Sequence, residues 1–149
     1  MFQSFMDQAL DQARAAAERG EVPVGAVVVC AGKVLSAAGN RTRELRDPTA
    51  HAEVLAIRAA CGALQAERLA GCDLYVTLEP CAMCAGAIAA ARIDRLYFGA
   101  IDPKSGGVLH GARVFDQTQS HHAPEVYDGL AETEAAALLR DFFARRRDE

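Results

Sequence analysis

No stretch of the 149-residue chain stays apolar for the roughly 20 residues that a membrane-crossing helix needs. The N-terminus also lacks a basic segment followed by an apolar one, because Asp7 and Asp11 interrupt any such run. The expectation is a cytoplasmic protein with no membrane partner. A basic excess is missing as well. The formal net charge of −4 argues against a protein that coats nucleic acid, though not against a local basic patch. The five cysteines are odd in number and do not form the paired framework of a small secreted domain. Cys30, Cys61 and Cys72 each sit in or beside an apolar segment and read as small buried hydrophobes. With no internal repeat, linker or low-complexity tract, the chain reads as one domain, residues 1–149.

What is present is enough for a core, since 51% of the residues are hydrophobic and 24% charged. Two polar-edged stretches carry the chemistry. One runs Asp47-Pro48-Thr49-Ala50-His51-Ala52-Glu53, the other Tyr75 to Cys84 through Glu79-Pro80-Cys81-Ala82-Met83-Cys84. In the second, alternating apolar residues give way at Pro80-Cys81 to small helix formers. Proline suits a first helical position, whose N–H has no partner. Two thiols three residues apart then face one way from the first turn, where the helix dipole favours thiolate. Thiolate is the form that binds zinc. His51 opens another predicted helix and supplies a third donor. Three protein donors leave a fourth position open, the mark of a catalytic rather than a structural zinc. Glu53 lies two residues beyond His51, and a carboxylate beside zinc can take a proton from water and hand it on. The pattern His-x-Glu … Pro-Cys-x-x-Cys is the established signature of the zinc deaminases. Histidine and glutamate two apart share no face inside a helix, so they can converge only at its mouth.

The remaining pattern places these stretches in a fold. Apolar spacing from Phe2 to Ala17 predicts a helix over 2–19. Val24 to Cys30 is a continuous β-branched run, a central strand buried on both faces. Ala31-Gly32-Lys33 turns the chain into a partner strand, Val34 to Ala38. A polar loop leads to the His51 helix, expected to end near Cys61. Then come a strand over Leu74–Leu78, a helix over Ala82–Ala91 with almost no polar face, and a strand at Leu96–Phe98. Such a helix needs cover on several sides, including a partner chain. The strand–helix–strand unit predicts a parallel pair. A long loop over 101–120, a short strand at 125–128 and a helix over 131–146 complete the chain. The predicted fold is a three-layer α/β/α sandwich with a mixed, mostly five-stranded central sheet, its zinc helices starting at one end of that sheet.

On the stretches Glu21 to Val27, Asp47 to Glu53, Leu74 to Cys84, Phe98-Gly99-Ala100 with Asp102 and Lys104, and Leu139 to Phe143 with Arg146-Arg147, the chain resembles the bacterial tRNA adenosine deaminases. This is the TadA family of the cytidine-deaminase-like superfamily. The resemblance implies conversion of adenosine to inosine at the wobble position of a tRNA anticodon. It implies one zinc per chain held by His51, Cys81 and Cys84, with Glu53 as the catalytic proton shuttle. It also implies Asn40 as a base contact, Val24 in the pocket wall, Asp102 and Lys104 against the anticodon backbone, and a homodimer. Separately, a chain of net charge −4 has to meet RNA through a local basic patch, for which Lys104 and Arg145, Arg146 and Arg147 at the end of the last helix are the candidates. Gly107 to Ser120 departs from the family pattern. Two other readings of the same residues remain: a deaminase of a free base or nucleoside such as guanine or cytosine, and a non-catalytic domain whose structural zinc is completed by His110, His121 or His122.

Overall fold

A computed structural model describes residues 1–147 of the chain, the side chain of Arg147 excepted. Five strands form one sheet: β1 (Gly25–Cys30), β2 (Lys33–Gly39), β3 (Cys72–Leu78), β4 (Arg95–Ala100) and β5 (Glu125–Tyr127), in the order β2-β1-β3-β4-β5. β1 runs antiparallel to both its neighbours, while β3, β4 and β5 are mutually parallel. The predicted mixed sheet and the parallel pair are therefore present. Ala31 and Gly32 both take positive φ, 53° and 75°, the two-residue turn whose twist matches a hairpin.

The period-two alternation of the strands divides the core. Ala26 and Val28 of β1, Leu74 and Val76 of β3, and Leu96 and Phe98 of β4 pack on one face against helices α2 (Ala52–Leu64) and α3 (Ala82–Ala91). Val27, Val29, Tyr75 and Tyr97 face the other way, toward α1 (Met6–Glu18) and α4 (Glu132–Arg147). This is the three-layer sandwich. Full burial of side chains such as Leu74, Leu96 and Phe98 contributes about 1.5–3 kcal/mol each. Tyr75 and Tyr97 stack across the β3–β4 register with centroids 4.5 Å apart.

The ends of elements moved most. α1 begins at Met6 rather than Phe2. The Phe2 ring packs on Tyr97 at 5.3 Å and the Tyr75 hydroxyl donates to the Gln3 carbonyl, so the first residues are held along the sheet and not in the helix. α2 continues to Leu64, past the predicted end. All five cysteines are free. Cys72 is buried as expected, but Cys30 and Cys61 are only half-buried because each lies near the end of its element. α3 buries Cys84, Ala85, Ile88, Ala89 and Ala91 and leaves Ala82, Met83, Gly86 and Ala90 exposed as an apolar strip. Among the described residues, no helix is long and apolar enough to cross a membrane.

α1 lies so close to β1 that a Cβ on Gly25 would collide with the backbone of Ala9 and Ala13. Backbone cannot rotate out of the way, so the helix would have to lift off the sheet. Gly25→Ala is therefore expected to destabilise the fold by about 2 kcal/mol or more. A calorimetric Tm lowered by roughly 4–8 °C is the expected reading, and an unchanged Tm would show that α1 can shift freely.

Candidate metal centre and active-site cavity

α2 and α3 both start at the same end of the sheet, and each spends its N-cap position on a metal-type donor. His51 (φ −73°, ψ 152°) and Cys81 (φ −71°, ψ 174°) are extended residues just outside their helices. Neither caps its helix with its side chain. Because His51 is not itself helical, it and Glu53 can aim at one place despite their spacing. Pro80 precedes the N-cap, two residues before the first helical position expected for it. The N-cap and the third helical residue then present Cys81 and Cys84.

His51 Nδ1 lies 3.4 Å from Cys84 Sγ and 3.7 Å from Cys81 Sγ, and the three donor atoms fall within 4.8 Å of one another. Zinc with tetrahedral bonds of about 2.05 Å to nitrogen and 2.3 Å to sulfur separates such atoms by roughly 3.6 Å. The donor set and spacing fit zinc. Among the described residues this is the one group of His, Cys, Asp and Glu that could hold a metal ion. The histidines of the structural-zinc reading sit elsewhere. His110 bonds Glu79, His122 Nε2 donates to the Ile93 carbonyl, and His121 lines a cavity beside α3.

The site's electrostatics follow from its crowding. A hydrogen bond from Cys84, reinforced by one from His51, brings the Cys81 thiol down to about 4. The hydrogen bond to Cys81 raises His51. Cys84 is pushed far up by its bond to Cys81 and by burial. Burial lifts the Glu53 carboxyl to about 7. Without metal these shifts favour a thiolate at Cys81 and a thiol at Cys84.

A cavity of ≈ 250 Å³ opens on these residues, lined by Val22, Val24, Asn40, His51, Glu53 and Cys81 among others. Val24 and Asn40, the expected pocket residues, are therefore beside the donors. Asn40 also braces the helix that carries Glu53, since its Oδ1 accepts the Ala52 N–H at 2.8 Å. It satisfies the helix end that His51, turned toward Cys81 and Cys84, leaves open. Asp102 and Lys104 line a separate groove of ≈ 570 Å³ with Leu139 and Phe143. Val22 and Leu78 belong to both walls, so groove and cavity are neighbours. Arg146 lies over the Phe142 ring at 5.0 Å near the end of α4 and lines neither space. The side chain of Arg147 falls outside the described residues.

Two site residues escaped the sequence reading. Glu21 is buried and accepts the N–H groups of Arg43 and Glu44, bracing the loop that carries Asn40 into α2. Glu79, equally buried, accepts N–H groups from the loop after β4. Burial raises its carboxyl, but these N–H groups and His110 outweigh that and hold it below the usual value. The signal was available: an acid inside an apolar run, next to proline, with no basic residue in reach.

Residues 2–100 match the profile of the cytidine and deoxycytidylate deaminase zinc-binding region. A tRNA-specific adenosine deaminase from Agrobacterium fabrum is 62% identical over 143 residues, covering 96% of this chain and 94% of that protein. A solved structure from work on A-to-I editing by tRNA:A34 deaminases at the wobble position superposes with a TM-score of 0.90 and 63% identity. It spans 91% of this chain and 98% of the other. The guanine deaminase from Nitrosomonas europaea superposes with a TM-score of 0.80 at 26% identity, over 93% of this chain and 82% of that one.

Proposed function

Because the chain belongs to the zinc-binding cytidine and deoxycytidylate deaminase family, and within it to the tRNA-specific adenosine deaminases, we propose that it converts the wobble adenosine of a tRNA anticodon to inosine. The observation that carries this reading to the residues is one cavity shared by the His51 and Cys81 donors, the buried Glu53 carboxyl, and the walls Val24 and Asn40. His51, Cys81 and Cys84 would hold one zinc. Bound there, the ion supplies a Lewis acid that makes water nucleophilic near neutral pH. Glu53 carries one proton of the attacking water to a ring nitrogen of the purine, where it stays, and then carries the water's second proton, from the hydroxyl now on the ring carbon, to the departing ammonia. Burial keeps Glu53 away from bulk solvent, so the proton stays within the site. Asn40, its Oδ1 engaged by Ala52, offers its amide N–H groups to the base, and Val24 packs against the ring.

A zinc pocket cannot reach a stacked base, so the target must be turned out of its strand. An anticodon loop, single-stranded and already bent, makes that cheap. Asp102 and Lys104 in the groove beside the cavity would meet the flanking backbone, with Arg146 and Arg147 at the end of α4 adding charge. The protein works in the cytoplasm, where tRNA is found. Incubation with total tRNA, followed by sequencing, should reveal inosine at wobble positions. Activity on free guanine or cytosine, with tRNA untouched, would replace this reading by the free-base one.

Two expected results attach here. Truncation before Arg145 should weaken tRNA binding and flatten its dependence on salt, since each phosphate contact supplies non-specific affinity and part of the salt slope, while zinc content stays intact. Unchanged catalytic efficiency on tRNA would reduce the arginines to a helix end. The chain should also be a homodimer that covers Ala82, Met83, Gly86 and Ala90 of α3, an apolar strip otherwise left to water. Sedimentation showing only monomer at micromolar concentration would count against it.

A further inference from the structure

Glu79 is a buried carboxylate at the site that the proposed chemistry does not use. It follows the last residue of β3, one residue before Pro80 and two before Cys81, and is 2% exposed. Oε1 accepts the Asp102 N–H at 2.9 Å, and Oε2 accepts those of Val108, Leu109 and His110 at 3.2, 2.9 and 3.2 Å. The His110 ring closes the set, its Nδ1 2.8 Å from Oε1. The segment 102–110 is thus wound around one carboxylate. Gly106 passes so near that a Cβ there would come within 2.5 Å of it. The backbone on either side is tied in as well. The Glu79 N–H donates to the Ala100 carbonyl, and the Gly107 N–H to that of Pro80.

Four backbone donors converging on a single buried anion hold a loop more firmly than neutral hydrogen bonds would, because charge-assisted bonds are about twice as strong. The loop so held carries Asp102 and Lys104 at the groove, while Glu79 itself lines the neighbouring cavity. One residue therefore fixes the distance between the groove and the Cys81 end of the metal centre.

We propose that Glu79, latched by His110, is a positioning residue that sets the 102–105 turn at the height where it meets the RNA backbone flanking the target adenosine. It touches neither the base nor the metal and acts only through the loop. The proposal rests on the tRNA reading above.

The test uses full-length, zinc-loaded protein and an anticodon stem-loop RNA. Glu79→Gln keeps the shape of the side chain but turns an acceptor oxygen into a donor that faces N–H groups. KM should rise by about tenfold or more, the equivalent of losing one charged hydrogen bond, with kcat within about threefold and zinc still stoichiometric. His110→Ala should raise KM less. His110→Asn places an amide N–H near the position of Nδ1 and should restore KM to near wild type. A purely structural anchor predicts instead a lower Tm with KM unchanged, or equal losses in kcat and KM that asparagine does not rescue, and either result overturns the proposal. If Glu79→Gln does not fold, the His110 pair decides. If the wild-type protein leaves the stem-loop unmodified, it is the tRNA reading that has failed. Amide exchange at Val108–His110 then still tests the latch: faster exchange in the variants sustains it, and unchanged exchange sinks it.

Discussion

Glu53→Ala is expected to give a folded, zinc-loaded protein whose deamination has fallen by about 10²–10⁴-fold, the range a positioned general acid–base contributes. The carboxyl is 4% exposed, at the second residue of α2, in the cavity it shares with His51 and Cys81. No other buried acid lining that cavity has a free carboxyl, since Glu79 is saturated by its N–H donors. The fold should tolerate the loss, because a buried carboxylate costs stability rather than adding it. That cost has a pH signature in the metal-free protein. Burial lifts Glu53 from 4.5 to about 7. Between those values the unfolded chain gives up this proton while the folded one keeps it, so stability falls as pH rises through that window. Metal-free Glu53→Ala should therefore outlast metal-free wild type at pH 8 by more than at pH 5, read as the difference in Tm. Wild-type turnover in the variant would remove Glu53 from the mechanism.

Cys81→Ala is expected to abolish stoichiometric zinc. Cys81 is the donor already held as thiolate, near 4, and its removal leaves only His51 and Cys84 of the three-donor group. Two donors do not make a stable tetrahedral site. A ligand present at 1,000 times its Kd stabilises a fold by about 4 kcal/mol, so the variant should also melt well below the zinc-loaded protein. In the wild type, zinc uptake has to displace the Cys84 proton, held by the bond to Cys81 and by burial, and it works against a His51 raised by its own bond to Cys81. Affinity should thus increase with pH, with measurable proton release on binding. Metal analysis finding one zinc per chain in Cys81→Ala would place the site elsewhere.

The metal donors were legible because their chemistry depends on residue type and short spacing. Cys81 and Cys84 face one way in any helix that begins at Pro80-Cys81, and a strand had to end there because the apolar alternation stops. The central strands were legible for a similar reason: a β-branched run such as Val27-Val28-Val29 can hardly be anything but a buried strand. Element ends were harder to read, since tertiary contacts set them. Nothing near Phe2 announces that Tyr97 will hold its ring and delay the helix to Met6.

The sequence by itself determined the kind of chemistry, the donors, the nearby carboxylate and the succession of strands and helices. These are local properties, encoded in periodicity and in residues a few positions apart. Only the tertiary structure decided how 51 and 81 meet, because two helix mouths must arrive at one end of the same sheet for His51 Nδ1 to stand 3.4 Å from Cys84 Sγ. It alone revealed that His51 and Cys81 are N-caps freed from capping, with Asn40 covering the open N–H of α2. The sequence marks Glu79 as an acid inside an apolar run, but what Glu21 and Glu79 hold was decided by the fold. Their carboxylates are satisfied chiefly by backbone N–H groups, and the donors lie some 20 to 30 residues away, brought close only by the folded chain.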